Sequence, residues 1–258
     1  MLKFCRIVLL LVLGIVATIP ALIICLIRPF RPINTYLVSH YLIAQAIHFM
    51  GVKVHIEYPQ GWKAPKSAIY AANHQSNWDI VVLAPSFQPG VVTIGKKSLV
   101  WVPFFGIVYF LAGNVRLDRD NKQKAIETMN KVAEDLKEGR HSIWIFPEGT
   151  RSKGKGLGKF KPGAVLSAVE SQVPLIPIVA SNYIRNFDLN RWNNGHICIK
   201  VLDPVNYPRL DVKSKEGLRE VRRGTQELQE LFASEIAELD RKVAELNEKD
   251  GLKIGTQD

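Results

Sequence analysis

Residues 73–79 read NHQSNWD and follow an apolar run, AIYAA, at 68–72. A histidine and an aspartate stand five positions apart. Five residues of regular helix turn the chain about 500°, so on a helix His74 and Asp79 could not share a face. They meet only if His74 lies in a loop ahead of a helix that carries Asp79. Ser76 offers an N-cap for that helix, with Asp79 at its third position, as in a capping box. Two roles for Asp79 are therefore open. It caps a helix, or it holds one nitrogen of His74 so that the other serves as a general base. The second role requires no serine or cysteine nucleophile if a substrate hydroxyl attacks.

Three further stretches carry reactive or anion-binding groups. Residues 143–152 read IWIFPEGTRS, an apolar run that ends in a turn. Gly149 permits close backbone approach, Thr150 brings a hydroxyl, and Arg151 brings a guanidinium fork, which together make phosphate-binding parts. Glu148 suits either acceptor hydroxyls or a brace for the turn. From Arg151 to Lys161 there are five basic residues and no acidic one. A solvated basic loop is an equal reading for Lys153 and Lys155. Residues 95–119 set Lys96, Lys97, Arg116 and Arg119 around the aromatic stretch WVPFFG at 101–106. A substrate with a charged head and an apolar tail needs both kinds of surface. The fourth stretch, VPLIPI at 173–178, holds no reactive group. Its two prolines predict an edge strand or one that is otherwise special.

These groups need a scaffold. Runs rich in β-formers lie at 53–58, 67–73, 91–95, 142–147, 175–181 and 196–202, with helical patterns at 78–84, 121–138 and 163–171. Strands alternating with helices predict an α/β domain with a mostly parallel central sheet flanked by helices. In such sheets ligands gather outside the carboxyl ends of the strands, where the histidine and the Glu-Gly-Thr-Arg turn would both fall. Leu218, Val221, Thr225, Leu228, Phe232, Leu239, Val243 and Leu246 recur in steps of three and four or their multiples. They predict a long C-terminal amphipathic helix, packed on its own domain or paired with a second copy.

The N-terminus differs. Residues 7–27, IVLLLVLGIVATIPALIICLI, carry no charge. As a helix they would span roughly 31 Å, close to the thickness of a bilayer's hydrocarbon layer. Lys3 and Arg6 precede them and Arg28 and Arg31 follow, so the basic flanks do not set an orientation. Residues 33–52 read as an interfacial amphipathic helix. A single span and a two-helix anchor in one leaflet fit equally. The expected division is a membrane-embedded helical anchor at 1–52, an α/β catalytic domain at 53–210, and a C-terminal helix and tail at 211–258.

Composition narrows the partners. Of the 258 residues, 47% are hydrophobic and the net charge is +10. Residues 1–210 hold 25 basic and 12 acidic residues, while residues 211–258 hold 9 and 12. A basic face suits anionic lipid, phosphorylated substrates, an acidic carrier protein or nucleic acid. No nucleic-acid module accompanies the charge. The three cysteines, Cys5, Cys25 and Cys198, form no CxxC, which argues against a disulfide framework or a zinc site. Cys198 reads as a buried structural thiol.

In order and spacing the four stretches resemble the glycerolipid acyltransferase family, over nearly the whole chain. His74-x4-Asp79 matches its first block, Gly113–Arg119 the second, FPEGTRS at 146–152 the third, and Val173–Ile178 the fourth. His-x4-Asp alone is a weak signal; FPEGTRS is strong, and four blocks in order are very specific. Arg116 and Leu117 depart slightly from a block that is often apolar in other members. The resemblance implies transfer of a fatty acyl group from a thioester, on acyl carrier protein or coenzyme A, to the free hydroxyl of lysophosphatidate, giving phosphatidate. It implies His74 as base and Asp79 as its orienting partner. It implies Arg119, Thr150 and Arg151, with Lys96 as a weaker candidate, around the phosphate, Glu148 and Gly149 in the binding turn, and neither metal nor cofactor. It implies a bacterial inner membrane, with the site facing the cytoplasm. The rivals are a family member with another acceptor, such as glycerol 3-phosphate, and a non-catalytic protein of anionic membrane surfaces.

Overall fold

The computed structural model describes residues 1–118 and 120–252. Seven strands form one sheet in the order β1-β7-β6-β2-β5-β3-β4. They are β1 (Lys53–Glu57), β2 (Ile69–Ala72), β3 (Val91–Lys96), β4 (Val115–Leu117), β5 (Ser142–Ile145), β6 (Leu175–Ala180) and β7 (His196–Val201). β2 to β6 run parallel; β7 is antiparallel to β6 and parallel to β1. The mostly parallel α/β sheet expected from the sequence is thus present, with two reversed strands at one side.

The central strands are apolar along their whole length because both faces are covered. Alternate side chains supply two separate cores. Tyr70, Ala72, Ile176, Ile178, Ile197 and Ile199 join one. Ile69, Ala71, Leu175, Val179 and Cys198 join the other. The second core is closed by α6 (Lys122–Lys137), α7 (Gly163–Ser171) and α8 (Lys215–Lys249), through Leu136, Val165, Val221, Leu228 and Phe232 among others. The apolar stripe of α8 therefore packs on its own sheet. Asn121 and Ser214 cap α6 and α8, accepting from the N–H groups of Lys124 and Gly217.

Several expectations need correction. β6 is not an edge strand; it lies between β2 and β7 and is wholly buried. Pro177 is tolerated because its nitrogen faces β7 where that ladder is interrupted. The Pro177 carbonyl accepts from Leu202 N–H, and the next contact on that side is the isolated bridge Leu175–Val205, so 203–204 bulge past the missing donor. Residues 33–52 do not form one interfacial helix. They run through α2 (Ile33–Val38), a π turn at Ser39–Ile43, a 3₁₀ turn at Ala44–Ala46 and α3 (Ile47–Met50). Asn34, Thr35, Val38 and Ser39 are buried, and then Ala44, Ile47 and Met50. The step of five fits the wide turn and the steps of three fit the tight one. Asn34 and Thr35 face the protein, where Asn34 Nδ2 donates to Arg28 O and Thr35 Oγ1 to Asn114 Oδ1, while Gln45 and His48 are exposed.

α1 (Leu2–Ile27) continues through Pro20 and leaves most of its apolar surface exposed. Both its ends touch the folded domain. Near its start, Arg6 is buried and donates to the carbonyls of Leu189, Arg191 and Trp192. Near its end, Ala21 and Cys25 pack with Val108 and Ala112 around α5 (Phe105–Leu111). α5 and the three-residue β4 were not anticipated; one is apolar all round and the other too short to show a period.

Candidate active site

The carboxyl ends of β2 to β6 share one edge of the sheet, and the first and third motifs leave β2 and β5 there. Residues 73 and 75 turn inward. Asn73 exchanges two hydrogen bonds with the backbone of Ala180, at 2.9 and 2.8 Å. Gln75 Nε2 donates to Ser181 O at 2.7 Å and its Oε1 accepts from Tyr183 N–H at 3.1 Å. With both neighbours tied to the end of β6, the intervening His74 is turned outward, its side chain 22% exposed.

His74 lies in the loop and Asp79 opens α4 (Asp79–Val82). His74 Nδ1 is 2.6 Å from Asp79 Oδ2. The same oxygen accepts from the N–H groups of Gln75 and Ser76, at 2.7 and 3.0 Å. Asp79 Oδ1 accepts from the hydroxyl of buried Tyr183, which also contacts Ser76 Oγ at 2.9 Å. Burial and the adjacent Asp79 carboxylate hold the Tyr183 phenol far above its ordinary range, so it stays a donor. The capping box takes a different form from the one expected. Trp78 occupies the cap position, and Ser76 Oγ accepts from its N–H. Asp79 reaches back to the loop N–H groups and orients His74 at once, so its two roles coincide. Nε2 of His74 makes no hydrogen bond among the described residues, which leaves it for a ligand.

The third motif wraps around the first. Ser152 N–H donates to His74 O and Lys153 N–H to Gln75 O, each at 2.9 Å. Glu148 is buried, and both its carboxylate oxygens brace loop N–H groups. Its Oε1 accepts from His74 N–H at 2.6 Å and its Oε2 from Gly158 N–H at 2.8 Å. Burial raises the Glu148 carboxyl above its ordinary value, and those two donors pull the other way. Gly149 sits at φ +69°, a conformation that favours glycine, and a Cβ there would meet Lys161 Nζ at 2.9 Å. Its N–H bonds to Phe146 O, so it is not a spare oxyanion donor. Among the described residues the N–H groups of Thr150 and Arg151 carry no such bond. Thr150 and Arg151 are exposed, and none of the five cations from Arg151 to Lys161 forms an ion pair among the described residues.

Lys96, at the end of β3, is exposed and stands 3.5 Å from Asp120. An exposed pair of that kind is weak and easily exchanged for a ligand. Arg119 lies outside the described residues. Tyr183, Gln75 and Phe146 were not assigned roles from the sequence. Phe146 stood within the recognised motif, but Tyr183 is 104 positions from Asp79 and no spacing links them.

The chain is similar to known proteins in sequence and in fold. The family model described as Acyltransferase matches residues 52–181. The chain is 40% identical over 247 residues to the 1-acyl-sn-glycerol-3-phosphate acyltransferase of Haemophilus influenzae, covering 96% of this chain and all of that one. It is 38% identical to the protein of the same name from Escherichia coli, covering 95% and 97%. In fold it is similar to the crystal structure of the 1-acyl-sn-glycerophosphate acyltransferase from Thermotoga maritima, with a TM-score of 0.62 at 24% identity, covering 89% of this chain and 98% of the other.

Proposed function

The chain belongs to the acyltransferase family, and from that premise we propose that it is a 1-acylglycerol-3-phosphate O-acyltransferase of phospholipid biosynthesis. It transfers a fatty acyl group from a thioester to the free sn-2 hydroxyl of 1-acyl-sn-glycerol 3-phosphate, forming phosphatidate. The observation that carries the mechanism is the 2.6 Å contact between His74 Nδ1 and a buried Asp79 whose other contacts are all donors. Asp79 fixes the tautomer in which Nε2 is bare. Nε2 takes the proton of the acceptor hydroxyl as its oxygen attacks the thioester carbonyl. The C–S bond then breaks, and the imidazolium returns the proton to the departing thiolate. No acyl-enzyme forms and the residues call for no metal or cofactor.

The acceptor phosphate is assigned to Thr150, Arg151 and Arg119, with Lys96 in support. The unpaired cations beside His74 and the forked geometry of arginine support that assignment. The donor is acyl carrier protein or acyl-coenzyme A; the basic face suits an acidic carrier and coenzyme phosphates alike. Membrane association follows from the exposed apolar α1. Because both ends of α1 touch one domain, we assign it to one leaflet rather than to a span, on the cytoplasmic side of the inner membrane.

The purified protein is incubated with lysophosphatidate or glycerol 3-phosphate and with each thioester in turn. Phosphatidate is expected from the first acceptor. Activity on glycerol 3-phosphate alone would sink this assignment of substrate. His74→Ala is expected to lose about 10²–10⁴-fold in rate while staying folded and membrane-bound. Undiminished function in that variant would favour a non-catalytic surface protein.

A further inference from the structure

Residues 98–115 contain no charged side chain, and they are bounded by Lys96 and Lys97 before and Arg116 after. They leave the sheet edge that carries His74, since they follow β3. In the structure they form a 3₁₀ segment (Lys97–Trp101), a tight turn and α5. Several of their large apolar groups point to solvent. Trp101 is 83% exposed, Phe104 54% and Ile107 52%, with Val102 and Phe110 also exposed.

The backbone is held in a costly conformation to do this. Phe104 sits at φ +63° and ψ −52°, which is rare for an aromatic residue and is kept only where the surroundings impose it. Gly106 imposes it in part: a Cβ there would lie 2.1 Å from Val100 O, so the 3₁₀ segment is pressed against the start of α5. Exposed aromatic area is unfavourable in water and is relieved if the tip leaves water, while the strained backbone holds that area outward.

The patch is continuous with α1. Phe30, just past the end of α1, bonds through its N–H to Leu111 O at 2.8 Å and sets its ring edge-on to Phe110 at 5.2 Å. Arg116 lies over the other partner of that pair, its guanidinium 4.6 Å from the Phe110 ring centroid. Aromatic residues ringed by Lys and Arg match the boundary between acyl chains and anionic headgroups. A folded partner protein would leave the exposed apolar length of α1 beside it still in water; a bilayer covers both.

We propose that the 101–110 turn inserts into the membrane surface as a second anchor, separate from α1 in sequence but part of the same lipid-facing plane. It docks the β3 end of the catalytic edge, with Lys96, onto the interface. A lysophospholipid then presents its headgroup to His74 without leaving the leaflet.

The test uses full-length protein on vesicles of phosphatidylethanolamine and phosphatidylglycerol doped with phosphatidylcholine brominated along its acyl chains. Brominated diacyl lipid is not an acceptor, so quenching reports insertion independently of the acyl-transfer reading. Part of the tryptophan emission is expected to be quenched in wild type and that part to vanish in Trp101→Phe. A second arm rests on the acyl-transfer reading. Trp101→Ser/Phe104→Ser should turn over vesicle-embedded lysophosphatidate at least about tenfold more slowly, the scale set by exposing one large apolar side chain. The loss should be several-fold smaller on a water-dispersed short-chain acceptor. Trp101 emission indifferent to bromine, equal loss on both acceptors, or a dimer that the double substitution abolishes each overturns the proposal.

Discussion

The ring of His74 lies flat on that of Phe146, with centroids 4.0 Å apart and planes 14° from parallel. The base comes from the first motif and its backing from the third. With Asp79 on Nδ1 and Phe146 on one face, the imidazole has a single orientation, and among the described residues its Nε2 has no partner. Motifs whose His74 and Glu148 stand 74 positions apart in the chain are thus one object, closed further by the Ser152–His74 and Glu148–His74 bonds.

Phe146→Ala should therefore lower kcat by about ten- to a hundredfold, as displacement of a reacting group does. Phe146→Leu, which keeps an apolar wall, should recover part of it. Single-turnover kinetics on both variants would check this, with circular dichroism to exclude unfolding. An unchanged rate in Phe146→Ala would mean the stack does not position the base.

Tyr183 acts through Asp79. Tyr183→Phe removes a donor to the carboxylate and the partner of Ser76 while keeping the ring packed on Phe187. We expect kcat to fall about tenfold, KM for the acceptor to hold, and stability to drop by about 1.5–3 kcal/mol, the usual range for a hydrogen bond to a charged group. A variant that loses stability at full kcat would assign Tyr183 to folding only.

Glu148 gives a pH-dependent prediction. Its folded-state value is raised above 4.5, so between that figure and the raised value the folded protein holds the extra proton. The stability this group contributes is present below 4.5 and lost as pH rises. Glu148→Gln never ionises, and one of its two backbone partners faces an amide donor, costing about 1–3 kcal/mol. Urea midpoints taken at acid and neutral pH should show wild type gaining on the variant as pH falls. A pH-independent gap between the two would contradict burial as the dominant influence.

How far the sequence reached differs from element to element. β2, β5 and β6 were legible because burial on both faces makes them continuous apolar runs, and α8 because one face alone is buried. The His74–Asp79 pair was legible because five residues fit only one geometry, loop then helix. Of the two readings Pro177 left open, the edge strand failed because the chain just past β7 bulges at 203–204, opposite the missing donor. Tyr183 and the inward turns of Asn73 and Gln75 were hidden because their partners come from the distant end of β6, and no local pattern marks a contact of that kind. The apolar stretch around Phe104 was visible as composition; its strain and exposure follow only from the fold.

The far end of α8 offers the last prediction. Asp250 accepts from His196 Nε2 at 3.0 Å and pairs with Lys53, while His196 Nδ1 stands 2.7 Å from His55 Nε2. Burial first, then His196, Lys242 and Lys53, push His55 below its ordinary value of 6.5, with Glu57 opposing. The unfolded chain therefore binds the proton more readily. The stability this group contributes is intact above 6.5 and disappears as pH falls through the lowered value. Mild acid should loosen the clamp on α8, seen as faster amide exchange over its final turns between about pH 7.5 and pH 5. His55→Asn should flatten that dependence without abolishing it, because half-buried His141 is lowered in the same direction. Equal pH slopes in wild type and variant would remove His55 from the clamp.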